Sequence, residues 1–405
     1  MKVLIVNTFY YPHEVGGAEK SVRILAEELV KKGCDVTILA LSDDGVKKIE
    51  YINDVKIQRV PIMNLYVPGL QDGGGSGITG KLKKLFWHFF DYYNVVSYFY
   101  LSKLINEDFD IVHTNNVSGF SVAVWNVARK KKIPIVHTSR DYYLFNPNCT
   151  MYSNGENEQP DSLKIKLLSY VKKIQSRKVD AYVGISHFIH DLHIEHGFFP
   201  KALFKQVIYN SIGSNFIDND RESFYRDDEG VRFGYLGRLD SAKGIENIID
   251  YLKTVDLNFT LMIAGKGNAS FVEKLKRKCS QDPRFIFIGQ TEISIFFKKI
   301  DCLICPSIWN EPMGRVVIES FSYGIPVIGN NVGGIGELIN SGKTGFLFDI
   351  KSRDSFIDAI NNYNSTEYGY LSRNCIECSK EFTDEIYVDR YMELYNSLLS
   401  YKSIR

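Results

Sequence analysis

What most constrains this chain is a repeated rhythm. A short apolar run rich in β-branched residues is followed by a Gly-rich or polar turn, then by an amphipathic stretch. Runs of the strand type fall at 2–7, Asp35–Leu41, 110–113, 133–138, 181–185 and 205–209. Between the first two, residues 16–32 place Val22, Leu25, Ala26, Leu29 and Val30 at helical spacing, which predicts a helix. Continuous apolar runs of this kind belong to strands buried on both faces, so they predict a parallel sheet covered by helices. A charged stretch, 218–230 (DNDRESFYRDDEG), interrupts the rhythm and is expected to be a linker. New runs follow at Val231–Leu236, Phe259–Ala264, Phe285–Gly289, 302–306 and 326–329, and an amphipathic helix is expected over 385–401. The class is α/β, with two doubly wound domains in series over 1–217 and 231–384. Ligands of such sheets sit at the carboxyl ends of the strands, so a cleft between facing domains is the expected site. Gly73 to Gly77 (GGGSG) reads as a loop.

Charge narrows the partners. The chain of 405 residues has 49 Lys and Arg against 48 Asp and Glu, which argues against a dedicated nucleic-acid binder and against disorder. No apolar run reaches the roughly 18 residues of a membrane-spanning helix. The opening MKVLIVN reads as a buried strand rather than a signal peptide. Seven cysteines, an odd and sparse number, suit a reducing compartment and a cytoplasmic location.

The stretch from Asn310 to Ser320 (NEPMGRVVIES) follows a strand and a Pro-Ser turn and opens a helix. Glu311 and Glu319 stand eight apart, one before the helix and one two turns inside it, roughly on one side. Between them, Met313, Gly314, Arg315 and Val316 supply backbone N–H groups at a helix N-terminus, a place suited to a diphosphate. Two solvated glutamates on an ordinary strand–turn–helix would give the same letters. Gly16 and Gly17 lie between a strand and a helix, where a ligand phosphate can approach bare backbone. Arg238 and Lys243 put two cations on another strand-to-helix turn.

Asn310 to Ser320 resembles the Glu-x7-Glu motif of retaining glycosyltransferase family 4, enzymes of the GT-B fold. VGGAE at 15–19, DIVHTN at 110–115, VIYNSIG at 207–213, GYLGRL with Lys243-Gly244, and VGGIGEL at 332–338 resemble the same family in the same order, from residue 1 to about 350. The resemblance implies two Rossmann-like domains, with the acceptor in the first, a nucleotide-sugar in the second, and the helix over 385–405 packed back on the first. It implies a catalytic set of Glu311, Arg238, Lys243, His113 and Asn115. The donor set would be Gly16, Gly17, Met313, Gly314, Arg315, Val316 and Glu319. Glu311 would face the donor sugar and Glu319 the ribose. Arg238 and Lys243 would stabilise the departing nucleotide diphosphate in place of a metal ion, so no cofactor is expected. The reaction implied is transfer of a hexose with retention, from a UDP-sugar by family frequency, to a glycan or lipid-linked acceptor of a bacterial surface polysaccharide.

The pattern departs from its relatives in places. Asn115 stands where many have a second His, and it can donate to a sugar hydroxyl but cannot titrate. His113 is open to two readings, a reacting group or a satisfied core histidine. Arg140 replaces a His before Asp141, and the pair is the expected acceptor site, the guanidinium meeting a charged group bidentately. Met313, Ser211 and Gly336 stand for Phe, Gly and Pro. An Asp-x-Asp at 108–110 precedes its strand and so falls at the wrong end of the sheet for a manganese site. Cys302, Cys305, Cys375 and Cys378 imitate a zinc set but read as buried thiols. Residues 81–103 (KLKKLFWHFFDYYNVVSYFYLSK) are basic and aromatic, and 81–205 carry 17 Lys and Arg against 11 Asp and Glu. Peripheral contact of 81–104 with an anionic membrane face fits this composition, as does a helix packed by its aromatics on the sheet. Two other functions stay open: a sugar-nucleotide epimerase or hydrolase, and a nucleotide-sugar-binding protein without turnover.

Overall fold

The computed structural model describes residues 1–14, 16–66, 78–105, 108–213 and 230–403. Val15, the glycine-rich segment 73–77 and nearly all of the expected linker lie outside the described residues. The chain divides into two compact units. The first comprises Met1–Met151, Gln159–Ser211 and Asp384–Arg405; the second comprises Tyr152–Glu158 and Ile212–Thr383.

The first unit is built on β1 (Lys2–Val6), β2 (Asp35–Leu41), β3 (Lys48–Ile52), β4 (Val55–Val60), β5 (Ile111–Thr114), β6 (Ile135–Ser139), β7 (Ala181–Gly184) and β8 (Phe204–Val207). Their order is β8-β7-β6-β5-β1-β2-β4-β3. All neighbours are parallel except β3, which runs antiparallel to β4. The rhythm missed this edge hairpin because its exposure alternates residue by residue. Its turn is made by Asn53 and Asp54, both at positive φ, as a two-residue hairpin requires. The covering helices include α1 (Gly17–Lys31), α2 (Ile78–Tyr92), α3 (Val95–Leu104) and α4 (Leu163–Gln175). The returning helix Asp384–Ser403 buries Tyr387, Val388, Tyr391, Leu394, Tyr395 and Leu398. They join one apolar cluster with Val22, Leu25 and Leu29 of α1 and with Val3 and Ile5 of β1. Side chains so buried stabilise by roughly 1.5–3 kcal/mol each, which fixes this helix to the first unit.

The second unit is built on β9 (Val231–Leu236), β10 (Phe259–Ala264), β11 (Phe285–Gly289), β12 (Cys302–Cys305), β13 (Val327–Asn330) and β14 (Gly345–Phe348), all parallel, in the order β11-β10-β9-β12-β13-β14. β14 went unread because GFLF is short and opens on a glycine. Two boundaries also differ from expectation. Ile212 already belongs to the second unit, its N–H donating to the Phe382 carbonyl at 2.9 Å, so the first unit ends at 211 rather than 217. The hairpin of Tyr152–Ser153 and Glu156–Asn157 belongs there too. Asn157 donates to the Ile308 carbonyl and accepts from the Asn310 N–H, both at 2.9 Å.

Candidate active site

In each sheet the chain winds one way and then the other, and the loops that follow the two strands at the reversal are neighbours. In the second unit these strands are β9 and β12, which pair directly. The loop after β9 closes in a turn over Ser241–Lys243, capped where Asp240 accepts the Lys243 N–H at 3.2 Å. Gly244 then takes φ 68°, and an added Cβ would lie 2.0 Å from the Pro306 carbonyl oxygen. Only glycine lets the two loops touch there. The approach brings the Lys243 ammonium onto Oε1 of Glu311 in an ion pair. Ser307 donates to the same oxygen at 2.8 Å, and the ammonium sits 5.4 Å from the centre of the Trp309 ring. Burial works to raise the Glu311 carboxyl, but Lys243 and the neighbouring donors outweigh it and hold it below the usual carboxylate range.

α5 (Arg315–Ser322) opens at Gly314, which has φ 89°. Met313 is buried, Val316 is half-buried in the first turn, and Glu319 is 6% exposed. Arg315 and Glu319 bond to each other at 2.9 Å, one turn apart, and Arg315 also donates to the Ile212 carbonyl at 3.4 Å. Arg238 is the open cation of this region: its side chain is 70% exposed and 3.5 Å from Asp240. Two features escaped the sequence reading. Asn157, from the distant hairpin, holds the backbone of Asn310 next to Glu311. Gly334 donates to the Glu311 carbonyl at 2.8 Å.

The reversal in the first unit lies between β1 and β5. Here the structure corrects several expectations. The Gly16 N–H is taken by the buried Glu19 carboxylate at 2.9 Å, and Gly17 begins α1. The spacing of a capping box, Gly16 to Glu19, carried that signal. His113 is fully buried, its Nδ1 lying 2.6 Å from the Tyr395 hydroxyl and its Nε2 2.8 Å from that of Thr138. Burial, then the charge of Arg140, push its ring well below the ordinary histidine range, so it is a satisfied core histidine and not a reacting group. Arg140 is 5% exposed and spends its guanidinium inside the unit, on Asn115 Oδ1 at 2.7 Å, on Asn210 Oδ1 and on the Tyr387 hydroxyl at 2.8 Å. It is not placed to grip a charged acceptor, because each side of its fork already has a partner. Asp141 accepts from Asn116 at 2.6 Å and from the Tyr143 N–H at 2.7 Å. Asn115 is 2% exposed; its oxygen is held by Arg140 and its Nδ2 has no partner among the described residues.

Elsewhere, the Asp110 carboxylate accepts the Lys2 N–H at 2.7 Å, and the Asp108 to Asp110 segment precedes β5. Cys302, Cys305 and Cys375 are buried, Cys378 partly so, and none of the four is in a disulfide.

The family model described as Glycosyltransferase Family 4 matches residues 15–212, and the one described as Glycosyl transferases group 1 matches 216–382. A Klebsiella pneumoniae protein named only as a 42.6 kDa protein in the cps region is 39% identical over 364 residues, 88% of this chain and 92% of its own. The chain belongs to glycosyltransferase family 4. This glycosyltransferase is also similar to the O-antigen biosynthesis glycosyltransferase WclY of Escherichia coli, 26% identical over 72% of this chain and 80% of that one. Its fold is GT-B. Among solved structures, Anabaena HepE in complex with UDP superposes with a TM-score of 0.70 at 17% identity, over 98% of this chain and 100% of that one. Sucrose-phosphate synthase from Thermosynechococcus elongatus gives 0.73 at 17% identity, over 98% and 99%.

Proposed function

We propose that this glycosyltransferase moves a hexose from a UDP-sugar to a glycan or lipid-linked sugar acceptor during assembly of a surface polysaccharide, with retention at the anomeric carbon and without a metal ion. The observation that carries this reading is the Lys243–Glu311 pair at the β9/β12 reversal, with Arg238 exposed on the loop just before it. The cps-region relative and WclY support the pathway, and HepE structures with UDP and with UDP-glucose support the donor.

In this reading Lys243 and Arg238 meet the diphosphate and stabilise the charge that grows on it as the anomeric C–O bond breaks. That is electrostatic stabilisation by groups already in place. The acceptor oxygen forms its bond on the face the diphosphate leaves, and a leaving phosphate oxygen takes the acceptor proton. Glu311, held ionised beside Lys243, orients the donor sugar, and Glu319 receives the ribose hydroxyls by sharing its bond with Arg315.

The test is a thermal-shift panel of nucleoside diphosphates and nucleotide-sugars with a chelator present. A ligand that binds only the folded state raises the melting temperature. A shift with UDP and UDP-sugars is expected. A well-folded sample with no shift for any nucleotide refutes the donor site. Sugar release without acceptor would favour a hydrolase instead.

A further inference from the structure

Three helices of the first unit bury polar side chains beside a few apolar ones and turn large apolar side chains outward. α2 turns Trp87 and Asp91 inward. The Asp91 carboxylate accepts the Gly119 N–H and the Tyr143 hydroxyl, each at 2.7 Å, and the Trp87 indole donates to the Tyr66 carbonyl at 2.8 Å. α3 buries Ser97 and Leu101 and is capped by Asn94, which accepts the Ser97 N–H at 2.9 Å and donates to the Met63 carbonyl at 2.7 Å. α4 buries Ile165, Ser169 and Lys172; the Lys172 ammonium donates to the Tyr143 carbonyl at 2.6 Å and lies 3.7 Å from that ring centre.

The outward faces are apolar. α2 exposes Leu85, Phe86, Phe89 and Phe90, with Phe89 at 74%, and α3 exposes Val95, Val96 and Phe99. On α4, Leu163, Leu167, Tyr170 and Ile174 form one stripe at steps of four, three and four residues. The Tyr92 hydroxyl at the end of α2 bonds the Leu167 carbonyl and accepts the Val171 N–H, which sets α2 beside the middle of α4. More than half of the exposed large apolar side chains among the described residues belong to these three helices. A helix facing water shows the reverse order, and a free surface rarely carries apolar patches of this extent.

Charge identifies what covers the face. Among the described side chains, the exposed ions of the three helices are Lys83, Lys84, Lys103, Lys164, Lys166 and Lys173; Lys166 pairs at 3.0 Å with the exposed Asp161 just before α4, and the only carboxylate within the helices, Asp91, is buried. A second copy of the same face would set lysine against lysine. Aromatic side chains ringed by lysines match the interface of an anionic bilayer, apolar groups at the headgroup–acyl boundary and ammonium groups on phosphates. No described helix is long and apolar enough to cross a membrane. We propose that the α2–α4 face docks on an anionic phospholipid surface. This goes beyond the donor-site reading and does not rest on it.

The experiment is flotation of the full chain with vesicles of phosphatidylcholine alone, or with about one quarter phosphatidylglycerol, at low and high salt. Capture by the anionic vesicles, weakened by salt, is the expected result. The charge-reversed variant Lys83→Glu/Lys84→Glu/Lys164→Glu is expected to bind at least about tenfold more weakly. The pair Phe89→Ser/Phe90→Ser, alone and with Leu167→Ser, is expected to lose capture. All these positions are exposed, and circular dichroism checks that the fold is kept. Failure to float with either vesicle overturns the proposal, as does wild-type capture of the serine variants. A wild-type dimer that becomes a monomer in the Phe89→Ser/Phe90→Ser variant would assign the face to a second copy instead. Donor binding is read separately: a protein that floats but shows no nucleotide-induced shift keeps this proposal and loses the transferase reading.

Discussion

At the β1/β5 reversal, charge is sealed inside. Arg140 ties Asn115, Asn210 and Tyr387 together, and His113 is locked between two hydroxyls. At the β9/β12 reversal, charge stays close to the surface: Lys243 and Glu311 pair with side chains 18% and 12% exposed, and Arg238 stands open. The two sheets share one winding rule but use it differently. In the first unit the cation serves as an internal tie that fixes backbone loops and the returning helix. In the second, one cation pairs with a carboxylate near the surface and the other stands in solvent.

This contrast can be broken by mutation, and the largest effect is expected at the Lys243–Glu311 pair. Lys243→Ala and Glu311→Ala should each lower turnover by about 10²–10³-fold with the fold intact, the scale of losing one preorganised stabilising group. Steady-state assays with a UDP-sugar check this, and wild-type turnover by either folded variant would remove the pair from the mechanism. Arg238→Ala should lower turnover less and leave the melting temperature unchanged, because the side chain is mostly in solvent.

Arg140→Met should do the opposite. Removing this buried cation takes a hydrogen-bond donor from Asn115, Asn210 and Tyr387, at a cost of about 3 kcal/mol in stability. Urea unfolding measures it; an unchanged midpoint would show that the tie contributes nothing.

Acid sharpens the comparison further. His113 and His137 are held well below the ordinary histidine range by burial, and burial pushes His193 down to about 4. Unfolded, these rings take up protons below about pH 6.5; folded, they do not. Their contribution to the first unit is therefore complete above that pH and falls by up to about 1.4 kcal/mol per histidine for each pH unit below it, until the folded values are reached, while protonation of Asp91, which burial pushes up to about 6, works the other way. Glu311, held low in the second unit, loses its contribution only as pH falls through the carboxylate range, near about 4.3. Trp87 and Trp125 lie in the first unit and Trp309 in the second, so a Trp309→Phe variant reports the first unit by fluorescence. Equal acid sensitivity of both units would contradict the buried-histidine account. The smallest expected effect is that of a chelator, none on turnover; loss restored by manganese would reopen the Asp108–Asp110 segment.

Much of the fold was legible because periodicity is local. The bounds of β9, β10 and β11 were readable to the residue from their apolar runs. Edge strand β3 and its neighbour β4 were not, since their half-polar alternation lacks the buried-run signal. The motif around Glu311 was legible as a strand–turn–helix opening. The fate of Arg140 was not, because its partners lie 25, 70 and 247 residues away and nothing near it in sequence announces burial. Asn157 escaped for the same reason, with its partners about 150 residues on. The inverted faces of α2 and α4 depend on which side meets the sheet, and that is a tertiary fact.

The returning helix has a consequence for the order of synthesis. The apolar cluster around Val3, Ile5, Val22 and Leu25 is completed by Tyr387, Tyr391 and Tyr395. A ribosome finishes residues 1–211 long before it makes these tyrosines. The nascent first unit must wait, one flank of its cluster uncovered, while 212–383 emerge as an almost uninterrupted piece able to close on itself. The part made first is thus the part finished last, and a ribosome that stalls before 384 would release a folded second unit tethered to an incomplete first one, ready for quality-control proteases.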